Sequence, residues 1–235
     1  MVEISPDEVV FWQWGFVNIN ETIVFTWVVM ALLVILAWLS TRQLSVEPPI
    51  PRMQSLIEII IGYMKSQIRE IAQMDPDRYL PFSGTLFLFI SIANLLDIVP
   101  GYKTPTGSLS TTAALAICVF FAVPIYGIAQ RGLIGYFKHY MEPTPLMLPF
   151  NIIGEISRTL AMAVRLFGNM MSESMLIAIL LSIAPLFLPV LLELLGLLIG
   201  QVQAYIFGVL ATVYIVSASS NNDRRENSKK AEGVT

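Results

Sequence analysis

A chain of 235 residues, 55% hydrophobic and only 13% charged, with a mean hydropathy of +0.69, is far from a soluble globular composition and reads as a polytopic membrane protein. A net charge of -3 is too small to imply a nucleic-acid or acidic-substrate partner, so the basic residues matter by position rather than by sum. The single cysteine, Cys118, lies in an apolar run and builds neither a disulfide framework nor a thiolate metal site.

The opening stretch "MVEISPDEVVFWQW" has acidic residues and no basic segment before its first apolar run, so the first span is expected to remain in the mature protein. Ile23 to Leu39 is almost uninterruptedly apolar, with Trp27 and Trp38 near its ends. At about 1.5 Å per residue it crosses most of a hydrocarbon core of roughly 30 Å. After the "EPPIP" break, Met53 to Ile71 sets Leu56, Ile57, Ile60, Ile61, Met64 and Ile68 against Glu58, Lys65, Arg69 and Glu70, the spacing of an amphipathic interfacial helix. A second span, Phe82 to Val99, carries Asn94 and Asp97 ahead of the turn "VPGYKTPTGS". A third, Thr111 to Ala129, contains Pro124, where a kink is expected.

Two longer segments follow, approximately Phe150 to Ile183 and Val190 to Ser217, separated by "APLFLP". As helices they would be roughly 50 Å and 40 Å long against a core of about 30 Å, so they should be strongly tilted or partly outside the bilayer. The fold class is therefore an all-α polytopic membrane protein of about five embedded helices plus the interfacial one. Residues 1–219 form a single membrane domain, and 220–235 are a polar tail without a core. With the N-terminus outside, five alternating spans leave Arg42, Arg52, Lys65, Arg69, Arg78, Arg131, Lys138, Arg224, Arg225, Lys229 and Lys230 inside and only Lys103 outside. The asymmetry favours an outer N-terminus and a cytoplasmic C-terminus.

Arg158 and Arg165 remain, seven residues apart on one face of the fourth span. Arg158 is near the cytoplasmic end with Glu155 one turn before it, which suits an interfacial ion pair. Arg165 is deeper, in "AMAVRLFGNMMSES", and no acidic residue lies three or four positions away. A central arginine costs about 2.5 to 3.5 kcal/mol on insertion scales, so it persists only when paired, hydrated or snorkelling. Asn169, Ser172 and Glu173 lie within roughly 80° of it on a helical wheel, a polar stripe of the type that faces a water-filled cavity or another protein. The last span contributes Glu193, Gln201 and Gln203, and a ridge of small residues, Gly196, Gly200, Ala204 and Gly208, that admits close helix approach.

At "AMAVRLFGNMM" and "GQVQAYIFGVLATVYI" the sequence resembles the a subunit of F-type ATP synthases, the stator element beside the rotating ring of c subunits. The "NLLDIVP" and "PFNIIGEISRTLAMAVRLFGN" stretches extend the likeness over most of the chain. The resemblance implies that the last two segments, 147–218, form a steeply tilted hairpin against the ring, that Arg165 is the family's essential arginine, and that Gln203 is its partner glutamine. It implies an ion pathway to which Asn169, Glu173, Gln203, Glu193, Ser172, Asn94 and Asp97 are candidate contributors. It also implies partners in the c ring, the b-type peripheral stalk and the rest of the synthase, with no cofactor, no metal and no ATP-hydrolysing site in this chain. The location would be a bacterial plasma membrane, with a thylakoid membrane as the alternative.

Hairpin register is open at this stage. A turn centred at Phe187 sets Arg165 opposite a site about six residues beyond Gln203, whereas a turn nearer Ala184 brings them level. Two positions depart from the family pattern. The polar or acidic residue usually found nine positions after the arginine is Ser174, while the acid here is Glu173, and many bacterial relatives have histidine where this chain has Gly196. Glu193 could supply the missing polar group. The transported ion, proton or sodium, is not legible because its binding group should be on the ring. The rival from another class is a secondary transporter with a midplane arginine binding an anionic substrate, but no inverted repeat is evident. A haem- or quinone-binding anchor is weaker still, since His139 is the only histidine.

Overall fold

The hydrophobic runs become helices because in lipid every backbone amide must be satisfied within its own segment. The computed structural model describes residues 10–14, 17–42, 52–72, 76–99, 101–141, 147–183 and 188–219. Six α-helices are ordered along the chain: α1 Glu21–Thr41, α2 Arg52–Ala72, α3 Leu80–Leu95, α4 Leu109–Met141, α5 Met147–Ile183 and α6 Leu188–Ser219. All but α2 are long and apolar enough to cross a membrane, and α2 is the amphipathic one. The embedded part is all α, as expected. The tail 220–235 and the α5–α6 turn lie outside the described residues.

Two features were not anticipated. Ahead of α1, strands β1 Val10–Trp14 and β2 Val17–Asn20 pair antiparallel, with Val10 opposite Asn20 and Trp14 opposite Val17. The third span also continues to Met141. Its break is not at Pro124, which sits within a continuous helical run, but at Gly132, whose φ of 71° is the left-handed region that glycine tolerates. Beyond that turn the chain folds back, and the Tyr136 ring lies against Gly127, where an added Cβ would come within 2.6 Å of it.

α6 is the centre of the bundle, packing against α2, α3, α4 and α5. Its Ala204, Phe207, Ala211 and Ile215 are fully buried, meeting a core that includes Ile90 and Ala93 of α3 and Met162 and Leu166 of α5. The small-residue ridge is used on two sides. Gly200 and Gly208 face α3, where an added Cβ would meet Asn94 at 3.1 Å and Phe87 at 3.3 Å, whereas Gly196 faces α5.

Polar side chains lock the α3–α6 seam. Asn94 is buried; its Nδ2 donates to the Gly200 carbonyl at 2.9 Å and its Oδ1 accepts from the Thr106 hydroxyl at 2.8 Å. Next to it, Gln201 Nε2 donates to the Ser91 carbonyl at 2.9 Å while the Ser91 hydroxyl donates back to Gln201 Oε1. Lower in the seam the Thr212 hydroxyl donates to Ser83 Oγ at 2.9 Å. Each bond is worth about 0.6 to 2 kcal/mol in a membrane interior, where an unsatisfied group has no water to turn to.

Candidate functional site

α5 carries the chemistry because its polar residues recur on one side of a helix that is otherwise apolar. Arg165 is exposed, and among the described residues it makes no hydrogen bond, ion pair or ring contact. Seven residues toward the N-terminal end, about 10 Å along the axis, the Arg158 guanidinium stands 5.7 Å over the Tyr214 ring of α6. Eight residues toward the C-terminal end, about 12 Å along the axis, is Glu173. Arg165 is thus midway between two polar neighbourhoods.

Each neighbourhood is a cavity at one end of the bundle. The first, about 290 Å³, lies where α3 ends, α4 begins and α5 approaches its turn, and brings together Asp97, Tyr102, Lys103, Glu173, Ser174 and Glu193. The second, about 340 Å³, lies at the other end, lined by Asn151, Glu155, Arg158 and Thr159 of α5 and by Tyr214 and Ser217 of α6. A separate pocket of about 120 Å³ lies between α5 and α6, lined by Glu173, Ser172, Asn169, Leu192 and Gly196. Glu173 lines both, so it stands where the first cavity and the pocket adjoin. The Asn169 Nδ2 is buried with no hydrogen bond among the described residues.

The two departures from the family pattern meet in space. A Cβ built on Gly196 would fall on the carboxylate of Glu173. Glycine on α6 leaves the space, and the acid on α5 fills it. Ser174, the position where the acid is usual, turns its hydroxyl back to the Met170 carbonyl at 3.0 Å. The same contact fixes the register of the hairpin. With equal rise on the two antiparallel helices, stepping from Glu173 back to Arg165 and from Gly196 forward by as many residues arrives at Ala204, beside Gln203. Of the two turns the sequence allows, this is the one nearer Ala184. Gln203 is buried, and no hydrogen bond joins it to Arg165 among the described residues.

The remaining sequence candidates divide. Glu193 is exposed and lines the first cavity with Glu173; Asp97 lines it too and accepts a hydrogen bond from the Thr104 hydroxyl. Asn94, a candidate for the pathway, is hydrogen-bonded in the joint between α3, α6 and the loop. Burial, with the Asp97 carboxylate adding to it, pushes the Tyr102 hydroxyl up from its ordinary value, so it stays protonated. The second cavity was missed as a unit, although Asn151, Glu155 and Arg158 repeat at helical spacing and could have been found. Among the described residues no group of three His, Cys, Asp or Glu side chains could hold a metal ion.

The ATP synthase A chain family profile matches residues 23–216. The "ATP synthase subunit a 1" of Crocosphaera subtropica is 56% identical over 230 residues, covering 98% of this chain and 100% of that protein. The protein of the same name from Chlorobaculum parvum is 59% identical over 223 residues, 95% of this chain and 99% of its own length. The "ATP synthase subunit a" of Nitrosospira multiformis is 53% identical over 232 residues, 99% of this chain and 92% of its own.

Proposed function

Because the chain belongs to the ATP synthase A chain family, the ion-translocating stator subunit of F-type ATP synthases, we propose that its two cavities are the two ion access paths and that Arg165 is the fixed charge between them. The observation that carries this reading is the placement of an exposed guanidinium, without a partner among the described residues, midway along α5 between polar cavities at opposite ends of the bundle. Family membership displaces the secondary-transporter alternative.

The chemistry follows from charge. A carboxylate on a ring of c subunits is neutral when it faces lipid, by binding a proton or a sodium ion, and ionises only where water or a counter-charge receives it. Arg165 supplies that counter-charge as each carboxylate arrives, and its own charge keeps ions from passing directly from one cavity to the other. Arginine suits the task because it does not deprotonate at accessible pH, whereas a buried lysine can. Glu173, Ser172 and Asn169 carry the ion between the first cavity and the ring, and Gln203 stands level with Arg165 on α6. Each elementary charge that crosses is worth about 2.3 kcal/mol per 100 mV, and asymmetric access turns that into rotation.

The distribution of basic residues supports the first cavity opening outside and the second toward the cytoplasm, in the plasma membrane of a bacterium. The partners in this reading are the c ring and the b-type peripheral stalk. The deciding experiment is Arg165→Ala in the assembled synthase. Ion-driven ATP synthesis in vesicles should fall below about 1% of the unsubstituted rate, consistent with loss of a midplane charge, while the amount of assembled complex stays near normal. Synthesis at an ordinary rate would sink the proposal.

A further inference from the structure

The two cavities differ in the formal charge that lines them. Among the described residues, Asp97, Glu173 and Glu193 line the first together with Lys103, and three carboxylates against one ammonium leave an excess of two negative charges. Glu155 and Arg158 line the second, and their formal charges cancel. The difference is made by Arg158. Its guanidinium stands 5.7 Å from the centre of the Tyr214 ring, and Tyr214 lines the same cavity. Among the described residues Arg158 makes no hydrogen bond or ion pair, so the pair with Glu155 that the sequence suggests is not formed. A ring face attracts a guanidinium without neutralising it. Tyr214 therefore keeps a full positive charge at the cavity wall.

We infer that Arg158 keeps the cation affinity of the second cavity below that of the first, so that ions are captured readily on one side and given up readily on the other. A cation entering the first cavity meets an excess of carboxylates. One entering the second meets a fixed guanidinium, whose repulsion at the reduced dielectric of a bundle interior lowers local cation occupancy several-fold. Without the arginine, Glu155 would be the one charged side chain left among the described lining residues, and the second cavity would take the negative sign of the first. The asymmetry leaves the driving force alone, since the two bulk phases fix it. What it sets is the concentration at which each side saturates. The inference rests on the reading of the second cavity as the cytoplasmic access path.

The test uses the assembled synthase in inverted vesicles, whose medium is the cytoplasmic side and whose lumen is the outer side. ATP-driven uptake is measured against the Na⁺ concentration of the medium at constant pH and, separately, against its pH without Na⁺. For whichever ion is carried, Arg158→Gln should lower the medium concentration for half-maximal uptake by about three- to fivefold, while half-saturation by the luminal ion in ATP synthesis keeps its value. The shift should shrink as ionic strength rises from about 10 to about 150 mM. Arg158→Lys retains the charge and should restore the medium half-saturation, which it would not do for a packing defect. An unchanged medium half-saturation in Arg158→Gln, an equal shift on both sides, or a shift that persists in Arg158→Lys overturns the inference. Gly154→Cys separates the two levels, because Gly154 lines the second cavity and an added Cβ there meets nothing within 4 Å. It is treated from the medium with a bulky charged thiol reagent, beside the unsubstituted chain with its Cys118 treated alike. If labelling blocks uptake while Arg158→Gln changes nothing, only the charge inference falls; if the cysteine is not reached, or uptake survives its labelling, the access reading falls with it.

Discussion

Gly196 and Gly200 stand one turn apart on α6 and face opposite neighbours. At Gly200 an added Cβ would press at 3.1 Å on Asn94, whose amide is pinned at both ends, by the Gly200 carbonyl and by Thr106. At Gly196 it would fall on the Glu173 carboxylate, the free end of a side chain that makes no hydrogen bond or ion pair among the described residues. The α3–α6 seam is therefore a joint with its polar groups satisfied, and the α5–α6 seam is a place where a charge is given room. A polar residue inside a membrane bundle is read by where its partner is: Asn94 and Gln201 have theirs on a neighbouring helix, while Arg165 has none among the described residues.

The same substitution at both glycines should separate these roles. Gly200→Ala presses its methyl group on an Asn94 side chain that is held at both ends and should lower the stability of the solubilised complex by about 1 to 3 kcal/mol, with near-normal synthesis per assembled complex. Denaturant titration of the complex beside a rate per complex checks it; a stable but inactive variant would break the contrast. Gly196→Ala should do the reverse, because a flexible carboxylate moves aside cheaply. Assembly stays intact and coupled transport slows roughly tenfold, the rate equivalent of about 1.4 kcal/mol. Glu173→Gln should slow ion-driven synthesis by a similar factor and Glu193→Gln by less, since only Glu173 lines both the cavity and the adjoining pocket. Equal, near-normal rates would mean that neither carboxylate carries the ion. Smallest is Tyr205→Phe, which removes the 2.6 Å hydrogen bond from α6 to Gln67 of α2 at an exposed position and should change stability by no more than about 0.6 kcal/mol in a thermal melt.

Hydropathy made the spans legible, since the apolar runs from Ile23, Phe82, Thr111, Phe150 and Val190 all became helices. It could not foresee that α4 continues past Arg131, because the mixed stretch "GLIGYFKHYM" has no apolar signal of its own and its turn depends on one glycine's φ. Nor did it show the β1–β2 pairing, two short strands with aromatic residues that read equally well as an interfacial approach to α1. Arg165 was legible because a charge in an apolar run demands an account. The hydrogen bonding of Asn94 was not legible because one of its partners is 106 residues away, on α6. Glu173 and Gly196 looked like two separate irregularities for the same reason, each being half of one contact between different helices.

The length of α5 has a consequence for direction as well as for span. Its 37 residues make a helix about 55 Å long, and to remain in a hydrocarbon core of about 30 Å it must lean nearly 60° from the membrane normal. At that angle most of each step along the helix is travelled sideways and only about half of it in depth. Arg158, Arg165 and Glu173 are then spread around the stator's flank more than they are stacked through the bilayer. A passenger carried past them meets the two cavities one after the other, and depth in the membrane has been exchanged for order in time.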